Sequence, residues 1–179
     1  MTRFLLIFLA LVTGLFAIEL TAPVQHYFVL PWTEMLTHAA AFLLQSVDST
    51  VISRGKVLAT TQGGFAISVE AGCNGLEALI ILVAAMLAFP SPWRHKVMGI
   101  LVGAIAVQAL NLIRVISLFY IGQWSLPVFN WMHLYTWQAL IMLDVLLVWI
   151  FWIRGMPKIG SKISAQAPKT VAVADHHAP

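Results

Sequence analysis

The chain has 179 residues, of which 60% are hydrophobic and 9% charged, and its formal net charge is +3. Soluble domains carry about 25% charged residues, so composition excludes an ordinary soluble domain and points to an integral membrane protein with room for roughly four or five helices. One cysteine excludes an internal disulfide. With no Cys/His cluster at metal-ligand spacing, no Gly-rich phosphate loop and no basic patch, nothing calls for a metal, a cofactor or a nucleic-acid partner.

In chain order, Phe4 to Leu20 is apolar after Arg3. It is expected as a retained membrane anchor rather than a cleaved signal peptide, because Glu19 stands where a small-residue cleavage site is needed. Residues 21–33 hold Pro23 and Pro31 and read as a loop. Glu34 to Val47 reads as a helix too short to span, hence interfacial or re-entrant. Residues 49–70 change to β-type runs, with Phe65, Ile67 and Val69 alternating with Ala66, Ser68 and Glu70 at the period of a half-buried strand. Open strands leave backbone groups unpaired in lipid, so this element belongs on the water side.

Cys73 to Phe89 is the second expected span, closed by Pro90-Ser91-Pro92, and Trp93 to Lys96 is a short basic loop. Val97 to Ile121 is the third span, the run GQWSLPVFNWMH a loop, and Leu134 to Ile153 the fourth span. Residues 156–179 read as a disordered cytoplasmic tail, with His176-His177 too weak a pair to suggest a metal site. The expected fold is all-α and membrane-integral: four transmembrane helices, a short interfacial helix and a small extracytoplasmic β element, within one unit at 1–155. With four spans, Arg3, Arg94, Lys96, Arg154, Lys158 and Lys162 fall on the cytoplasmic side and only Arg54 and Lys56 outside, as the distribution of basic loops requires. Both termini are then cytoplasmic and Cys73 extracytoplasmic.

Counting from the cytoplasmic turns, Cys73 and Arg114 each stand about 25 Å up their helices and His133 about 30 Å up the last one, at 1.5 Å per residue. One outer layer thus receives a thiol, a guanidinium and an imidazole. A helix start and a nearby cation favour thiolate, and an imidazole beside a thiol suits general acid–base work. Gly72 and Gly75 allow close approach of a substrate backbone, and Asn111, one turn from Arg114, can orient it. Glu77 can pair Arg114 or orient His133, so the residues leave the proton to either His133 or Glu77. Asp144, deep in the last helix, is a structural partner or a polar kink, and Glu70 can hold the loop before Cys73.

Three stretches in order, EAGCNGLEALIILVAAMLAFPSPWRHK, VQALNLIRVISLFYIG and WMHLYTWQALIMLDV, resemble the exosortase/archaeosortase family and are most similar to its short exosortase H type. The resemblance covers residues 1–155 and rests on Cys-x-Gly at Cys73–Gly75, Asn-x-x-Arg at Asn111–Arg114, and His133. It implies a bacterial inner-membrane cysteine protease or transpeptidase with its active site on the periplasmic side. Its partners would be the lipid bilayer and exported proteins carrying a C-terminal sorting signal, of Ile-Pro-Thr-Leu type, followed by a membrane helix and a basic tail. It also implies Cys73 as nucleophile, Arg114 as stabilising cation and His133 as third catalytic member. The chain is shorter than an eight-helix exosortase, so the resemblance extends to the catalytic core alone. Two rival readings are a membrane acyltransferase using Cys73 on lipid, and a non-enzymatic transport or assembly subunit with Arg114, Glu77 and Asp144 as a polar pathway.

Overall fold

A computed structural model describes residues 2–155; the expected tail at 156–179, with Lys158, Lys162, His176 and His177, lies outside them. Helix α1 runs Thr2–Glu19. The stretch expected as a loop is helical instead. A short turn α2, Ala22–Val24, leads through a π turn at Gln25–Val29 into α3, Leu30–Gln45. Pro23 stands in the first turn of α2, where the missing N–H has no partner to lose, and Pro31 follows directly on the π turn, whose shifted ladder lets the helical path continue past its missing N–H. The π turn, closed by the Leu30 N–H on the Gln25 carbonyl, shifts the hydrogen-bond ladder just before Pro31.

Three antiparallel strands follow, β1 Val51–Arg54, β2 Val57–Thr60 and β3 Ala66–Ser68, in the order β1-β2-β3. The predicted alternation holds: Val69 is buried and Phe65 and Ile67 half-buried, while Ala66, Ser68 and Glu70 are exposed. Helix α4, Leu76–Ala88, starts three residues later than expected and leaves Cys73 in the preceding turn. Helix α5 spans Trp93–Trp124, so the basic run Trp93 to Lys96 is its first turn rather than a loop. The second expected loop is also mostly helical. The chain breaks at Ser125 alone and continues as α6, Leu126–Trp131, a π turn at Met132–Thr136, and α7, Trp137–Arg154.

Among the described residues three helical stretches are long and apolar enough to cross a membrane: Thr2–Glu19, Trp93–Trp124 and Leu126–Arg154. The second expected span, realised as α4, has 13 residues, about 20 Å of helix, short of the roughly 30 Å hydrocarbon thickness. The bundle is therefore three long helices with a short apolar α4 packed among them.

Two cores divide the molecule. In one, Leu82 and Met86 of α4, Val107 of α5 and Val145 and Trp152 of α7 pack together. Phe4, Phe89 and Trp149 close this end with ring centroids 6.0–6.2 Å apart, and Arg3, Arg94 and Arg154 stand at the helix ends there. In the other, Leu36, Ala40 and Leu44 of α3 cover Val51 and Leu58 of the sheet and Val115 and Phe119 of α5. Phe65 is pinned over Gly122, where any Cβ would overlap its ring. The sheet and α3 thus form a cap at the end of the bundle opposite the basic residues.

Candidate active site

The turn between β3 and α4 lies at the junction of the two cores. Gly72 (φ +86°) and Gly75 (φ +76°) take left-handed backbone conformations on either side of Cys73. The Cys73 N–H donates to the Glu70 carbonyl at 2.9 Å, closing the turn. Asn74, fully buried, fastens it from below. Its Nδ2 donates to Thr33 Oγ1 at 3.0 Å, its Oδ1 accepts the Leu76 N–H at 3.0 Å, and its carbonyl accepts Trp32 Nε1 at 3.2 Å. Helix α3 therefore clamps the cysteine turn, a role the sequence hid behind two prolines. The visible signal was Asn-Gly directly before an apolar helix, a capping pattern.

Helix α5 supplies the opposite wall. Arg114 is 3% exposed. Its Nη1 donates to the Gly72 carbonyl at 3.3 Å and its Nη2 lies 3.6 Å from Cys73 Sγ. Asn111, fully buried, donates from Nδ2 to the Cys73 carbonyl at 3.2 Å. Asn111 was expected to orient Arg114; it holds the cysteine backbone instead. His133 stands in the π turn before α7 with Nε2 at 3.7 Å and Nδ1 at 4.0 Å from Sγ, so either ring tautomer offers the sulfur an unprotonated nitrogen. Its ring stacks on Phe129, centroids 5.6 Å apart. A cavity of about 30 Å³ opens among Ile67, Val69, Cys73, Arg114, Phe129 and His133. Two apolar grooves along α7, about 290 and 350 Å³, share no lining residue with this cavity.

Glu77 occupies a different place from the one expected. Among the described residues its carboxylate accepts the Gly72 N–H and makes no ion pair with Arg114 and no hydrogen bond to His133. Glu70 holds the loop through its carbonyl, and Lys56, joined by Ser68, keeps its carboxyl below the usual carboxylate range. Asp144 Oδ2 is buried with no hydrogen-bond partner among the described residues, as are both amide atoms of Gln108, beside Gly75.

Burial pushes the Cys73 thiol above its ordinary value; Arg114 opposes this, while Glu77 and Glu70 add to it. The expectation that the surroundings favour resting thiolate is not met: burial is the largest effect on the thiol and outweighs the guanidinium. Burial thus favours the thiol over the thiolate at Cys73. The imidazole of His133, with both ring nitrogens within 4.0 Å of Sγ, stands beside it.

The two glycines separate backbone strain from crowding. A Cβ at Gly72 meets nothing within 4 Å, whereas one at Gly75 falls 2.7 Å from Gln108 Nε2 and 3.2 Å from Asn111 Cγ. Gly72→Ala is expected to cost about 1–2 kcal/mol, the left-handed penalty alone. Gly75→Ala should cost clearly more, read as a larger drop in thermal midpoint in detergent. Equal drops would mean the Gln108 contact carries no weight.

No curated protein and no solved structure matches the chain. A family model described as transmembrane exosortase matches residues 1–155.

Proposed function

The chain belongs to the transmembrane exosortase family, and from that premise we propose that it is a membrane cysteine transpeptidase of the sorting type, nearest the exosortase H type. It processes exported proteins whose C-terminal signal, of Ile-Pro-Thr-Leu type, precedes a membrane helix and a basic tail. The site faces the periplasm of a bacterial inner membrane, with the basic helix ends in the cytoplasm. The observation that carries this reading is one sulfur with Arg114 Nη2 at 3.6 Å and His133 Nε2 at 3.7 Å, from different helices.

In the proposed reaction Cys73 Sγ attacks the scissile carbonyl carbon while its proton passes to His133. Arg114, already on the Gly72 carbonyl and the sulfur, takes the negative charge that develops at the site. The Cys73 N–H is committed to the Glu70 carbonyl and does not compete for that task. The carbon–nitrogen bond breaks, His133 returns the proton to the departing amine, and the substrate's membrane helix leaves. The exported domain remains as a thioester on Cys73. An amine, a hydroxyl or water then attacks, His133 takes its proton, and the thiol re-forms.

The test is co-expression with a tagged reporter bearing an Ile-Pro-Thr-Leu-type signal, comparing wild type with Cys73→Ala. Wild type is expected to remove the signal and Cys73→Ala to leave it intact, with the mass of the new C-terminus separating transfer from hydrolysis. Equal processing by both would remove Cys73 as nucleophile. A membrane acyltransferase would instead label Cys73 with an acyl donor and leave the reporter whole.

A further inference from the structure

Among the described residues strand β3 has one partner, β2. In the β2–β3 ladder the Val69 N–H donates to the Lys56 carbonyl at 2.9 Å, so Lys56 and Val69 form a hydrogen-bonded pair. Antiparallel pairs alternate. Leu58↔Ile67 is therefore also hydrogen-bonded, and Val57↔Ser68 and Ala59↔Ala66 are not. The N–H and C=O of Ala66 and Ser68 thus point away from β2, and both residues are exposed. Among the described residues these groups meet no backbone partner, and no strand lies along that edge. A bare edge of this kind is a template for an added strand.

We infer that the open edge of β3 receives the substrate's cleavage motif as a fourth, extended strand, which delivers the scissile bond to Cys73. The inference rests on the function proposed above and adds the mode of recognition. The edge is continuous with the site, since Ile67 and Val69 line the same cavity as Cys73 and His133. Main-chain bonds to Ala66 and Ser68 supply affinity, and alternate side chains of the added strand face that cavity, the usual division in strand addition. A motif containing proline suits the edge: the residue before proline is held extended, and proline, lacking an N–H, is tolerated on an outermost strand. The occupant is therefore an extended peptide segment beside the scissile bond, bound through its backbone.

The test is disulfide trapping in membranes, with the Cys73→Ala chain made single-cysteine by Ser68→Cys or Ala66→Cys. Each is scanned against single cysteines placed along the motif of the same tagged reporter. Strand addition gives cross-links at every second reporter position, displaced by two residues between positions 68 and 66. Ile67→Cys gives the opposite parity. Cross-links without alternation, or none, overturn the inference whether or not the wild-type chain processes the reporter. Alternating cross-links without wild-type processing sustain the docking mode and overturn the reaction.

Discussion

Replacing Arg114 by alanine is expected to slow reporter processing by about 10²–10³-fold, the loss typical of a single oxyanion donor. The guanidinium is buried and bridges two partners, the Gly72 carbonyl and Cys73 Sγ. Its removal takes away a charge and a brace at once. Arg114→Lys should recover little, since an ammonium is a point charge that lacks the planar fork needed to hold both partners. A second readout separates catalysis from folding. Arg114 pulls the Cys73 thiol down against burial, so its loss must raise the thiol further. Alkylation of Cys73 by iodoacetamide should then move to higher pH in Arg114→Ala and be slower at neutral pH. An unchanged alkylation profile would show that the cation does not act on the sulfur.

The second large effect is at His133. His133→Ala is expected to cost about 10²–10⁴-fold, the usual range for a general base. The residual rate should climb with pH, because hydroxide must then take the thiol proton. Glu77→Gln is the matched control for the two proton carriers the residues left open. Its carboxylate meets the Gly72 N–H, and Gln keeps an acceptor oxygen there, so the pH profile should keep its shape and the rate fall by less than in His133→Ala. A Glu77→Gln profile that loses its lower limb while His133→Ala keeps it would transfer the base role to Glu77.

Much of the architecture was legible because hydropathy and strand alternation are local. The apolar runs at Thr2–Glu19, within Trp93–Trp124 and within Leu126–Arg154 are helices, and the alternating run at 65–70 is half-buried, as its period requires. The errors fall where a tertiary partner overrides a local signal. Pro23 and Pro31 read as loop formers, but Pro23 stands in a first turn, Pro31 follows a π turn that shifts the ladder ahead of it, and packing of Leu36, Ala40 and Leu44 on the sheet and α5 supplies a reason to be helical. The run around Ser125 reads as a loop through its polar residues, yet only Ser125 leaves the helical path.

By itself, then, the sequence determined a membrane chain with a small β element and set Cys73, Arg114 and His133 at nearly one height, because helical rise converts residue counts into distance. Only the tertiary structure decided which way those side chains turn. It set the sulfur between a guanidinium and an imidazole, sent Asn111 to the Cys73 carbonyl and Glu77 to the Gly72 amide, and, among the described residues, left one edge of β3 open beside them. Direction depends on helix rotation and on where a helix begins, and both are set by packing between segments distant in the chain.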